Sequence, residues 1–461
     1  MENKATNTQI IAEHLAKRFD IRNTDFSKAD SREYLCDNLI PSDIFVIAGN
    51  GAVLETNRGK LFDLSSMSLN CILGQNDPWV NASIQAYIAS GRPSFHSTRV
   101  GSEIYYEVAE LIAKVSGIQN PVVNHRQCNG SDVTELAILA AYQHNDKDRE
   151  LLVSFRGSYY GQNLTSFIAS DLQTQNRFLL TEEPSIYFLD APDNFLPGSS
   201  ENLSSNDIKT LDELRTIASK AFAVIIEPIQ MSNMVNVCNP SFLKELKTIC
   251  EKFDIQLIFD DIQTGFGWLG TFSSASFFDV YPNLLAVSKA LTAGYGPLSS
   301  LVMDKRYKDL PMSTVLKTNG ADLRSLVAAR AVIERLRGVP KEYIPSDLST
   351  DLRHELEVGL FFSFKNKVEI LEQCVQTLKQ QCASRLGNIR GCGLIRCVEV
   401  IDNHGHPDPE TCKKIQEQLL QSGVLVRSVK HGLLFKIPIV ITDQELHEAF
   451  GIVSSVIRRF S

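Results

Sequence analysis

Between residues 151 and 303, short and almost wholly apolar runs alternate with amphipathic stretches. The runs are LLVSF (151–155), SIYFL (185–189), FAVII (222–226), IQLIF (255–259), LLAVS (284–288) and SSLVM (299–303). A strand with one wet face alternates apolar and polar residues, so a strand apolar throughout must be covered on both faces. The intervening stretches have helical spacing, as in 239–253, where Phe242, Leu243, Leu246 and Ile249 share one face. This alternation predicts an α/β fold: a mainly parallel sheet flanked by helices. Residues 321–336 read as a long helix. After a turn-rich stretch at 340–347, helical patterns at 352–364 and 370–386 and β-like pieces near 394–400 and 433–441 predict a smaller α+β part. Near the start, Ile10, Ile11, His14 and Leu15 predict an amphipathic helix. IAGNGAVLETNRGKLFDLS predicts a hairpin with turns at Asn50-Gly51 and Arg58-Gly59.

Several function classes drop out early. Lys+Arg total 46 against 54 Asp+Glu, a net charge of −8, which lacks the basic excess of a nucleic-acid binder. No run approaches the ~18 apolar residues of a membrane span. The start, MENKATNTQIIAEHLAKRFD, lacks the basic segment and apolar core of a secretory signal. The ten cysteines include no CxxC, and with the histidines they give no zinc pattern, so no metal site is expected. Most lie in apolar segments, which predicts reduced, buried thiols and a cytoplasmic protein. His404-Gly405-His406 falls in a polar loop and is expected to be solvated.

Ligands of an open α/β sheet bind at the carboxyl ends of its strands. FAVII is followed by Glu227-Pro228, IQLIF by Asp260-Asp261 and LLAVS by Lys289. Taken singly, such a carboxylate caps a turn and such a lysine meets solvent. Taken together they suit one cofactor. A desolvated lysine amine can form a Schiff base, and an aspartate can keep a pyridine nitrogen protonated so that the ring accepts electrons. These are the demands of pyridoxal phosphate. Its phosphate needs an anion site, and Cys128-Asn129-Gly130-Ser131-Asp132 precedes the helical run 133–142, where free N–H groups and a positive dipole end are available. The same residues, SDVTE, also read as a plain cap with Glu135 one residue off capping-box spacing. In Gly157-Ser158-Tyr159-Tyr160-Gly161 an aromatic ring is available for stacking, or for core packing. Gly265 to Gly270 fits G-x-G-x-x-G. Five residues separate it from its strand and no convincing helix follows, so a nicotinamide site is disfavoured. No G-x-x-x-x-G-K-[ST] occurs.

With these motifs in place, the chain resembles the class III (omega) aminotransferases, pyridoxal-phosphate enzymes of fold type I, from about Val53 to the C-terminus. LIFDDIQTGFGWLGTF (257–272) is similar to the family's D-E-V-Q-T-G-F-G-R-T-G, and YPNLLAVSKALTAGYGPLSSLV (281–302) to its lysine segment. VLETNRGKLFDLSS, IIEPIQ and RGCGLIRCVEV are weaker matches. The resemblance implies a PLP-dependent transferase fold. A large PLP-binding domain would span 61–305 and a small domain 346–461. Residues 1–60 would join the small domain, and 306–345 would form a linker and long helix. It implies that Lys289 carries the internal aldimine and shuttles a proton, and that Asp260 pairs with the pyridine nitrogen. Ile262 would pack beneath the ring and Gln263 would lie near its phenolic oxygen. Gly130 and Ser131 would hold the phosphate, Tyr159 would stack on the ring, and Glu227 would complete the cofactor set. Thr318 would reach the phosphate of a neighbouring subunit, implying a homodimer with shared active sites.

The departures from the family pattern lie mostly around the substrate. SDVTE replaces S-E-A-N-E, Tyr160 stands where histidine is common, and Trp268 replaces an arginine. Leu434 falls where the family often has a carboxylate-clamping arginine, with Lys436 two residues on. An ammonium does not reproduce bidentate carboxylate recognition. The leading reading is a PLP-dependent aminotransferase that passes an amino group from an amine or amino acid to a carbonyl acceptor in a ping-pong cycle. Its rivals are another PLP reaction (decarboxylase, epimerase, aminomutase or carbon–carbon bond-forming synthase) and a non-catalytic binding or regulatory relative.

Overall fold

The apolar runs form the strands they predict. The computed structural model describes residues 10–13, 15–20, 44–97, 99–145, 149–171, 185–311, 314, 317–320 and 322–460. At its centre is a seven-stranded sheet: β1 (Val122–Gln127), β2 (Leu151–Phe155), β3 (Ser185–Leu189), β4 (Ala221–Ile226), β5 (Gln256–Asp260), β6 (Leu284–Val287) and β7 (Ser299–Met303). The spatial order is β1-β7-β6-β5-β4-β2-β3. Strands β6, β5, β4, β2 and β3 are parallel. Strand β7 is antiparallel to both β6 and β1. The two reversals cancel, so β1 points the same way as the parallel five.

Strands β4 to β7 are buried along their whole length. Their side chains alternate between two cores: Leu257, Phe259, Leu285 and Val287 enter one, Ile258, Leu284 and Ala286 the other. The first is covered by the helix Pro240–Phe253 through Phe242, Leu243, Leu246 and Ile249. The second is covered by the helix Gly130–Gln143 through Val133, Leu136, Ala137 and Ala140. Full burial of one such Leu or Phe contributes roughly 1.5–3 kcal/mol.

Further along the chain, β8 (Leu386–Arg390), β9 (Ile395–Val400), β10 (Arg427–Val429) and β11 (Gly432–Lys436) form an antiparallel sheet in the order β8-β9-β11-β10. One face meets helices: Phe435 packs on Phe450 with ring centroids 5.2 Å apart, and the Ser428 N–H donates to Gln416 Oε1 at 3.1 Å. Before the central sheet, Val46–Asn50, Val53–Thr56 and Gly59–Asp63 form an antiparallel meander, and Val424–Leu425 adds in parallel beside the last strand. Its turns fall at 51–52 and 57–58, one residue from the expected places. The long helix is Leu323–Arg337, and the two later helical patterns appear as Thr350–Val358 and Phe364–Gln381. Leu386, expected to end a helix, opens β8 instead. Ile10, Ile11 and Leu15 lie on a helical segment and are exposed, while His14 is outside the described residues. No helix among the described residues is long and apolar enough to cross a membrane. The nine described cysteines are free thiols, eight of them buried, and Cys36 is outside the described residues.

Candidate active site

The topology brings five strand ends to one edge. Phe259 pairs with Ile226, and Asp260 with Ala286, so Glu227, Asp260 and Lys289 follow or end adjacent strands. Strand β2 leads to Gly157–Gly161, and β1 leads through Cys128 and Asn129 into the helix Gly130–Gln143. Of the nine expected site residues, Gly130, Ser131, Tyr159, Asp260, Ile262, Gln263 and Lys289 line one cavity of about 230 Å³. Glu227 is buried behind Tyr159, whose N–H donates to Glu227 Oε1 at 3.0 Å. Thr318 is exposed and does not line the cavity. Its neighbour Lys317 places Nζ 4.0 Å from Asp132 Oδ1.

The helix at the cavity begins earlier than its sequence suggests. Asn129 is the N-cap and accepts from the Asp132 N–H at 3.0 Å, so the first turn is Gly130-Ser131-Asp132. The N–H groups of Gly130 and Ser131 have no carbonyl to bond within the helix and add to its positive end. Glu135 is no part of the cap. It accepts from Thr165 Oγ1 at 2.8 Å and from the Ser166 N–H at 3.1 Å. Two glycines allow the close approach. A Cβ on Gly130 would stand 3.1 Å from Ile262 Cδ1, and one on Gly161 (φ +130°) would stand 2.5 Å from Ser131 Oγ. Tyr160, beside Tyr159, is a buried pillar whose hydroxyl donates to the Ile225 carbonyl at 3.0 Å.

Asp260 is buried and accepts from the Ile262 N–H (3.0 Å) and Thr134 Oγ1 (3.3 Å). Burial pushes its carboxyl up to about 7, against the pull of the Ile262 N–H and Lys289. Burial and the neighbouring Asp260 push Glu227 up to about 8. Desolvation lowers Lys289 to about 8, opposed by Asp260 and Glu227 and assisted by Arg427. On the order of a tenth of such amines are neutral at pH 7, against far fewer than a hundredth for an ordinary lysine. Lys289 also holds φ +47°, the left-handed region that non-glycine residues rarely occupy outside strained functional sites. Asp261 has a separate task. It accepts from the Ser274 N–H (2.6 Å) and from Thr264 Oγ1, fastening the 261–274 loop.

Residues 265–270, the G-x-G-x-x-G match, turn back on themselves through Phe266 N–H to Phe272 O and Gly267 N–H to Thr271 O, each 3.0 Å. Only the five-residue helix Ser274–Phe278 follows, and Trp268 is fully buried. Lys436 is equally buried. Its Nζ donates to the Gln263 carbonyl and lies 4.0 Å from the Trp268 ring centroid. It braces the loop beneath the cavity and is not free to meet a substrate. Sequence reading missed Asn129, Gly161 and Thr134 as site residues. Thr134 had a signal, since it lies one helical turn beyond Gly130 and Ser131.

A family model described as aminotransferase class-III matches residues 38–457. The chain belongs to this family. Among relatives of this class-III aminotransferase, an alanine/serine racemase from Pyrococcus horikoshii is 28% identical, covering 77% of this chain and 73% of the relative. An acetylornithine aminotransferase from Methanosarcina mazei is 26% identical, covering 88% and 89%. A taurine:2-oxoglutarate aminotransferase from Bifidobacterium kashiwanohense has the same fold, with TM-score 0.79, 20% identity and coverage of 95% and 98%. An amine transaminase from an uncultivated Pseudomonas species gives TM-score 0.77 at 22% identity, covering 93% and 98%. The fold is the PLP-dependent transferase type, the cofactor is pyridoxal phosphate, and the protein is a PLP-dependent aminotransferase. The cavity fits that cofactor. It has an anion-binding helix end, a glycine-cleared wall at Ile262, a buried carboxylate with no cation in contact among the described residues, and a desolvated lysine.

Proposed function

We propose that Lys289 carries the cofactor in this aminotransferase and moves the proton of the donor carbon. The observation that supports this most is the desolvated Lys289 amine at the end of β6, beside Asp260 at the end of β5. When bound, pyridoxal phosphate supplies a ring that takes up the electron pair left on the donor carbon. In our reading Asp260 holds the ring nitrogen, Ile262 and Tyr159 bracket the ring, and Gln263 lies near the phenolic oxygen. Gly130 and Ser131 bind the phosphate, while Glu227 fixes the Tyr159 backbone. Lys289 Nζ, released in its neutral form, takes the proton from the donor carbon and returns it elsewhere. An amine or amino acid is then the donor and a carbonyl compound the acceptor.

A second reading has a specific support: the racemase among the relatives, together with a substrate region that departs from the family pattern at Leu434. One incubation separates the two. With an amino acid and an oxo acid, transamination consumes the acceptor and yields a new amino acid by mass spectrometry. Inversion of the amino acid without an acceptor, and no new product with one, would establish racemisation instead.

We further propose a homodimer in which Thr318 reaches the phosphate bound by the partner subunit. Its exposure and its place outside this chain's own cavity support that reading. Sedimentation should give twice the 51.4 kDa chain mass, and Thr318→Ala should weaken cofactor retention. A monomer that retains the cofactor fully would contradict it. The free thiols support a reducing, cytoplasmic location, which recovery in a secreted fraction would overturn.

A further inference from the structure

Four consecutive residues without a glycine, Ser66, Met67, Ser68 and Leu69, hold φ of +49°, +45°, +60° and +74°. L-residues visit the left-handed region singly, so a whole turn of it persists only where its surroundings hold it. This turn is a wall of the active site. Met67, Asn70 and Cys71 line a cavity of about 480 Å³ that also reaches Gly130 and Lys289.

One end of the turn is held by the buried Asp63. Its carboxylate accepts from the Ser65 N–H at 3.0 Å and from the Met67 N–H at 2.7 Å. The other end is held by Lys436, the last residue of β11. The Lys436 N–H donates to the Leu64 carbonyl at 2.8 Å, and its carbonyl accepts from Ser66 Oγ at 2.6 Å. Lys436 Nζ then reaches the Leu69 carbonyl at 3.5 Å. The same Nζ bonds the Gln263 carbonyl and lies 4.0 Å from the Trp268 ring centroid. One side chain thus joins β11, the left-handed turn and the loop after β5.

Three acceptors surround this nitrogen: two carbonyls and the face of an indole. An ammonium has three N–H bonds to give them, whereas a neutral amine would turn its lone pair on one of them. Burial and the charge of Lys289 work against protonation, and Asp261 works for it. Trp268 contributes its ring face, since its Nε1 finds no partner among the described residues. Burying a cation is costly, so its place between three segments calls for a reason. In the motif that 257–272 resembles, position 268 is an arginine, and here a cation arrives beside that position from β11 instead.

We propose that Lys436 is a positioning residue that supplies, from β11, the cation displaced by Trp268, and that it holds the left-handed turn and Gln263 in place around Lys289. The proposal rests on the transamination reading only for its effect on turnover.

The test is a two-residue cycle. Lys436→Met keeps the length of the side chain and removes its N–H bonds. In the apoprotein it should speed hydrogen exchange about tenfold or more at the amides of 65–71, and far less in the helix Pro240–Phe253. In the holoenzyme it should lower kcat/KM about 10- to 100-fold, the scale of a small misplacement of reacting groups. Trp268→Arg alone sets two cations in one dry pocket, so its apoprotein should melt below both the wild type and Lys436→Met. Trp268→Arg added to Lys436→Met should instead restore the protection of 65–71 and most of the lost kcat/KM, because a guanidinium then stands within reach of the two carbonyls. If Lys436→Met does not fold, a folded double variant with 65–71 protected supports the proposal equally. A double variant no better than Lys436→Met would overturn it, as would unchanged exchange at 65–71 in Lys436→Met. If the wild type transfers an amino group from no donor, the transamination reading has failed separately, and exchange in the apoprotein still decides Lys436.

Discussion

Lys289→Ala should lower amino transfer by about four orders of magnitude, the combined loss of a covalent anchor and a general base. The fold should survive. A lysine at about 8 in the folded state, against an ordinary 10.5, is destabilising wherever folding must bury its charged form. That cost is fully present below about pH 8 and fades as pH rises toward 10.5. The alanine apoprotein should therefore melt no lower than wild type at pH 7, so that lost activity is not lost structure. Lys289→Arg should be nearly as inactive, because a guanidinium keeps the charge without a nucleophilic nitrogen. Retention of more than about a hundredth of wild-type kcat/KM in the alanine variant would contradict the assignment.

Asp260→Asn should cost about 10²- to 10³-fold in kcat, the scale of removing one group aimed at developing charge. The amide occupies the same volume, its oxygen can accept from the Ile262 N–H and its NH2 can donate to Thr134 Oγ1, but it places no charge against the ring nitrogen. Without cofactor the same substitution should stabilise the protein in a pH-dependent way. The Asp260 carboxyl is at about 7 when folded and 3.8 when free, so the folded apoprotein holds the proton more tightly. Its share of stability is present at low pH and is lost as pH rises from about 4 to about 7. Melting of the Asn apoprotein should thus exceed wild type by a margin that grows over that window. A constant margin would mean that Asp260 does not titrate as its burial dictates.

Much of this site was legible because it lies on strand ends. The runs ending before Glu227, at Asp260 and before Lys289 are apolar on both faces, and such strands have few alternative readings. Strand β1, which delivers Gly130, was not legible: VVNHRQ carries Asn124, His125 and Arg126, and lies at the sheet edge. Its direction depends on the antiparallel β7, which no local pattern encodes. The cap was misplaced by two residues, because Ser131 suits an N-cap as well as Asn129 does; in the fold Asn129 caps the helix and Ser131 Oγ accepts from the Gln162 N–H instead. Lys436, read as a candidate near the substrate, proved to be a buried brace beneath Gln263 and Trp268.

The account rests on one attachment point. Protein loaded with pyridoxal phosphate, reduced with borohydride and digested should yield a single modified peptide, with the added mass on Lys289. The same treatment should leave Lys436 unmodified, and Lys289→Ala should show no modified peptide. A label on another lysine, or none with the cofactor bound, would contradict the placement of the active site at the ends of β5 and β6.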